Sequence, residues 1–101
     1  MVIEWQRFHV RPDVRDLFLS KDEEIWTAGL RGETGFLGKE VWLGEEDEDL
    51  ILVIRWRSEE EWKGILQERL EDLEKRFRRA VPEEGYEMVE SLVFHPLDGN
   101  G

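Results

Sequence analysis

Cysteine is absent from the 101-residue sequence. That excludes disulfides, thiolate metal sites and thiol catalysis together. Positive charge is scarce: 14 Lys and Arg stand against 25 Asp and Glu, a net charge of −11. Such an acidic chain repels phosphate backbones and anionic headgroups, so no nucleic acid and no membrane surface is expected as a partner. No apolar run approaches the ~20 residues that span a bilayer, and no signal peptide opens the sequence. A cytoplasmic location is expected. The stretch GETG at 32–35 is a turn signal, too short for a phosphate-binding loop. Two His without helical spacing, and an acidic run at 45–49 without the ligand spacing of a calcium loop, offer no metal site.

What is present is apolar and aromatic bulk. Apolar residues make up 40% of the chain, with five Trp and five Phe, enough for a packed core. The length fits one domain, expected over residues 1–96, with 97–101 as a flexible tail.

Residues 2–10 (VIEWQRFHV) read as a strand covered on both sides. Val2, Glu4, Gln6, Phe8 and Val10 share one face. Ile3, Trp5, Arg7 and His9 share the other. Pro12 ends the strand, and Asp13 is placed to cap a helix. Val14, Leu17, Phe18, Lys21, Ile25 and Ala28 then follow at helical steps, predicting one amphipathic helix of about four turns. Gly29 or Gly32 is expected to stop it in a left-handed conformation. FLGKEVWL at 36–43 and LILVIRW at 50–56 read as strands joined by an acidic hairpin over 45–49. Ser58 to Glu61 form a capping box. Trp62, Leu66, Leu70, Leu73, Phe77 and Ala80 run down one helical face, with Gly64 a point of division. Pro82 and Gly85 end that helix, and YEMVESLVF at 86–94 is a last strand.

The order β-α-β-β-α-β predicts an α+β, ferredoxin-like fold: a four-stranded antiparallel sheet with both helices on one face. The other face would then carry a contiguous apolar patch, unusual on a monomer. A second copy closing over it, sheet to sheet, is the simplest cover. Arg7 and Arg55 are expected to pair with Glu40 or Glu90 there.

Three segments carry a family resemblance: GFLGKEVW at 35–42, LVIRW at 52–56 and SEEEW at 58–62. Together they resemble the dimeric α+β barrel superfamily, and more narrowly the antibiotic biosynthesis monooxygenase-like domains. Within these the chain is similar to a small family of unassigned function from cyanobacteria. The resemblance implies a homodimer whose sheets form a barrel, with a pocket between helices and sheet in each subunit. Some active relatives oxidise polycyclic aromatics with oxygen and neither metal nor flavin, which implies no cofactor. Others degrade haem with an Asn, a Trp and a His. Gln6 falls at the Asn position and Trp62 near the Trp, but Ile65, Leu66 and Asp72 occupy the region of the His. None of these serves as an axial donor, which argues against haem degradation by that route.

Glu4, Gln6 and Asp22 are the candidate catalytic residues. All three are expected on the helix-covered face, where burial raises a carboxyl pKa and suits it to act as a general base on an acidic phenol or C–H. Trp26 and Trp62 are candidate walls for a small apolar or aromatic ligand. The competing reading is a non-catalytic structural or interaction homodimer, in which the same polar groups bond to backbone, to Arg or to a neighbouring subunit. An enclosed cavity behind Glu4, Gln6 and Asp22 favours the first reading, and a filled core the second.

Overall fold

The computed structural model describes residues 1–97, so the expected tail lies, past Leu97, outside the described residues. Strand β1 (Val2–Val10) leads into helix α1 (Arg15–Lys21). A π-helical segment, Asp22–Thr27, continues it into the short α2 (Ala28–Arg31). Strands β2 (Phe36–Leu43) and β3 (Asp49–Trp56) follow, then α3 (Glu59–Lys63), α4 (Gln67–Ala80) and β4 (Tyr86–Phe94). The sheet order is β2-β3-β1-β4 and all three pairings are antiparallel. This is the ferredoxin-like arrangement expected from the element order. Among the described residues, no helix is long and apolar enough to cross a membrane.

Side chains paired across an antiparallel sheet point to the same face. The register therefore places Val2, Glu4, Gln6, Phe8 and Val10 with Leu50, Leu52, Ile54 and Trp56. This face meets the helices. Its core has two clusters. One joins Val2, Ile54 and Trp56 to Ile25, Leu30 and Leu73. The other joins Val10 and Leu50 to Val14, Phe18, Phe77 and Val81. Glu4 and Gln6 lie on β1 between Val2 and Val10, and so between the two clusters.

The opposite face carries Trp5, Ile51, Val53, Trp42, Leu92 and Phe94. Trp5 stands opposite Val53, and Trp42 opposite Ile51. These flanking indoles explain why Ile51 and Val53 are buried although no helix covers them. Trp42, Leu92 and Phe94 remain exposed. The expected ion pairs are here: Arg7 Nε to Glu90 Oε1 at 3.0 Å, and Arg55 to Glu40 at 2.9 Å.

Several local expectations are corrected. Asp13 does not cap the first helix; it is held by Arg11, Nε to Oδ1 at 3.0 Å, and Val14 is the N-terminal residue of the turn. The helix is not uniformly α. A π turn holds more residues than an α turn, so the buried positions slip after Ile25. Thr27 and Leu30 face inward, and Ala28 does not. Leu17 and Leu66, expected on buried faces, are exposed. Gly32 caps α2 with φ −87°, so the left-handed position is Gly35 instead, at φ 90°. Asp49, counted in the hairpin, belongs to β3 and is 3.0 Å from His9 Nε2. One expectation is met directly, and the capping box is met in its N-cap half. Gly64 ends α3 three residues before α4 begins. Ser58 Oγ accepts from the Glu61 backbone N–H at 3.1 Å, and it also donates to Glu61 Oε1 at 2.9 Å.

Candidate active site

Between the helix-facing side of the sheet and the helices lies a cavity of about 500 Å³. That is within the size range of small-molecule sites. It lies where β1 turns polar, at Glu4 and Gln6, between the two core clusters. All five residues singled out in the sequence line it: Glu4, Gln6, Asp22, Trp26 and Trp62. Lys39, Leu52, Ile54 and Trp56 also line it from the sheet, and Phe18, Leu70 and Phe77 from the helices. Its solvent-exposed rim includes Glu71, Glu74 and Arg78 of α4, Glu83, and Glu87 and Met88 at the start of β4.

Glu4 is the polar centre. Trp56 Nε1 donates to its Oε1 at 3.3 Å and Gln6 Nε2 to its Oε2 at 3.2 Å. Burial pushes the Glu4 carboxyl above its ordinary pKa; the Trp56 indole N–H, the Lys39 charge and the Trp62 indole draw it partly back. A carboxyl in this state is a competent proton acceptor for a weakly acidic group.

Asp22 is committed elsewhere. Lys39 Nζ donates to its Oδ2 at 2.6 Å, and both side chains are at most 5% exposed. Burial raises the Asp22 pKa, and the charge of Lys39 with its hydrogen bond opposes that rise without cancelling it. Lys39 escaped the reading of the sequence. The available signal was alternation: Lys39, Val41 and Leu43 share a face, so a single Lys stands on the helix side of β2. Trp56 ends the strand expected at 50–56 and carries no site signal in the sequence. It is fully buried, and its indole N–H needs the acceptor that Glu4 provides.

The sign of the Glu4 shift yields a stability prediction. The folded state holds this proton more tightly than the unfolded chain. The corresponding stability is complete below the unfolded carboxyl pKa and lost as pH rises through the raised one. Glu4→Gln is therefore expected to match the wild type in urea unfolding near pH ~4 and to exceed it near pH ~7.5. A gap that stays constant or reverses across that range contradicts a raised Glu4 pKa.

The model of the antibiotic biosynthesis monooxygenase family matches residues 1–69. The chain belongs to that family. No curated protein matches it. Among solved structures, this family member is similar to SnoaB, a cofactor-independent oxygenase from Streptomyces nogalater. The two are 17% identical with a TM-score of 0.70, over 96% of this chain and 93% of that one. It is also similar to a monooxygenase from the gene ActVA-Orf6 of Streptomyces coelicolor, determined with the ligand nanaomycin D. There the identity is 13% and the TM-score 0.74, over 95% of this chain and 87% of the other. Rv0793 from Mycobacterium tuberculosis is 21% identical with a TM-score of 0.66, covering 96% of this chain and 95% of its own. At these identities the shared property is the fold, which agrees with the ferredoxin-like sheet described above.

Proposed function

We propose that this monooxygenase-family chain binds a small apolar or aromatic molecule in the cavity between sheet and helices and oxidises it with dioxygen, without metal or flavin. The observation that carries the reading is the cavity itself, which brings the part-buried Glu4 carboxyl against indole walls. Glu4 is the general base: it takes the proton of a phenol or of an acidic C–H, leaving an electron-rich ring system that reacts with oxygen. For an acidic CH₂ group, one oxygen atom becomes the carbonyl of the product. The other leaves as water with the two hydrogens, and the substrate supplies the electrons. Gln6 orients Glu4 through its amide. Asp22, already paired with Lys39, shapes the wall. Trp26 and Trp62 hold the ring. The working unit is a homodimer closed through the open sheet faces.

Anthrone is a suitable probe, because its CH₂ is acidified by the flanking carbonyl-conjugated rings. The protein is expected to convert it to anthraquinone with equimolar oxygen uptake. Glu4→Gln is expected to slow this by about 10²–10⁴-fold, the usual contribution of a general base. Binding without turnover supports the second reading, a non-catalytic dimer. That reading is favoured by the commitment of Asp22 to Lys39 and by the apolar open face. The absence of both binding and oxygen uptake overturns the small-molecule reading.

A further inference from the structure

We propose that the cavity selects a cationic aromatic ligand, an ammonium group carried on a flat ring system, and rejects carboxylate, sulfonate and phosphate compounds. The inference rests on the binding part of the small-molecule reading above, independent of the role of Glu4 as a base, and adds the charge of the occupant.

Six carboxylates line the cavity against two cations. Both cations are already engaged. Lys39 is 2.6 Å from Asp22, and Arg78 is 2.7 Å from Glu74 and 3.6 Å from Glu83. An anionic ligand would therefore meet no free positive group among the described residues of the lining. Glu4 is in the opposite position. Its two oxygens accept from neutral N–H groups, Trp56 at 3.3 Å and Gln6 at 3.2 Å, with the Trp62 indole also directed at it. A carboxylate offers about four lone-pair sites, so room remains for a ligand donor.

The location of the charges decides which of them matters. The rim carboxylates Glu71, Glu74, Glu83 and Glu87 are exposed. Salt screens such charges over about 8 Å at physiological ionic strength. Glu4 is part-buried and bonded to an indole, so it is screened less than the exposed rim and the walls concentrate its field. Trp26, Trp56 and Trp62 line the same cavity, and aromatic rings attract cations as well as flat apolar surfaces. The walls fit an organic cation better than a metal ion. Among the described residues no three His, Asp or Glu gather as a metal site, and indoles cannot replace a hydration shell.

Three naphthalene compounds of one shape test this against the intact protein: 2-naphthylmethylammonium, 2-naphthylmethanol and 2-naphthoate. Calorimetric titration in about 150 mM salt is expected to show the ammonium compound binding at least about tenfold tighter than the carboxylate, with the alcohol between them. The lead is expected to shrink but persist at about 0.5 M salt, because Glu4 is part-buried. Glu4→Gln is expected to bring the ammonium compound down to the affinity of the alcohol. Equal or tighter binding of 2-naphthoate overturns the proposal. So does a lead that vanishes with salt and ignores Glu4→Gln, since that is attraction to the acidic surface alone. The wild-type series decides the charge preference even if the variant folds poorly. If none of the three compounds binds, the small-molecule reading itself falls and takes this inference with it.

Discussion

Lys39→Met is expected to destabilise the fold by about 3–5 kcal/mol at pH 7, measured by urea unfolding. The reason is desolvation. Lys39 Nζ and Asp22 Oδ2 are 2.6 Å apart, with both side chains at most 5% exposed. Removing the ammonium leaves a carboxylate without a counter-ion in a site that water does not reach. The same physics makes the double variant informative. Asp22→Leu with Lys39→Met removes both charges and should return close to wild-type stability, or exceed it. Acid should relieve the single variant. The Asp22 pKa is already raised by burial despite Lys39, and without Lys39 it rises further. The folded variant then holds its proton more tightly than the unfolded chain, so its deficit shrinks as pH falls into the carboxyl range. A loss below about 1 kcal/mol for Lys39→Met would mean that the pair behaves as a solvated surface contact.

The second large effect concerns assembly. At micromolar concentration the protein is expected to sediment as a dimer, and Trp42→Glu with Leu92→Glu as a monomer. Both residues lie on the face the helices leave bare, on edge strands at opposite sides of the sheet. They are 46% and 40% exposed; Trp42→Glu uncovers part of Ile51 and lowers the stability of the single chain, but the sheet pairing is kept, so its far-UV circular dichroism should be unchanged. In a sheet-to-sheet dimer the same carboxylates would be desolvated without partners, and the penalty recurs in both subunits. Exposed apolar patches of this kind mark interaction surfaces. A wild-type monomer at that concentration contradicts the homodimer.

Much of the candidate site was legible because strand geometry is regular. Alternation alone put Glu4 and Gln6 with Val2 and Phe8, and the register with β3 agrees. Helical spacing put Asp22 beside Phe18 and Ile25, and both Asp22 and Trp26 reach the cavity. What failed did so for local reasons. The π turn shifted the inward positions beyond Ile25. The Asp13 carboxylate found Arg11 two residues away before it could cap a helix. A helix start at Leu66 left that side chain outside.

The chain by itself determined the order of its elements, their amphipathic faces and the bare apolar side of the sheet. These follow from spacings of two, three and four residues, which the backbone enforces wherever the segment ends up. Tertiary structure decided which polar groups meet. Lys39 is 17 residues from Asp22, and Trp56 is 52 from Glu4. Whether such pairs touch depends on how helices seat on a twisted sheet and how much space the core leaves between them. The cavity is a property of that packing, and so is the charge environment of Glu4.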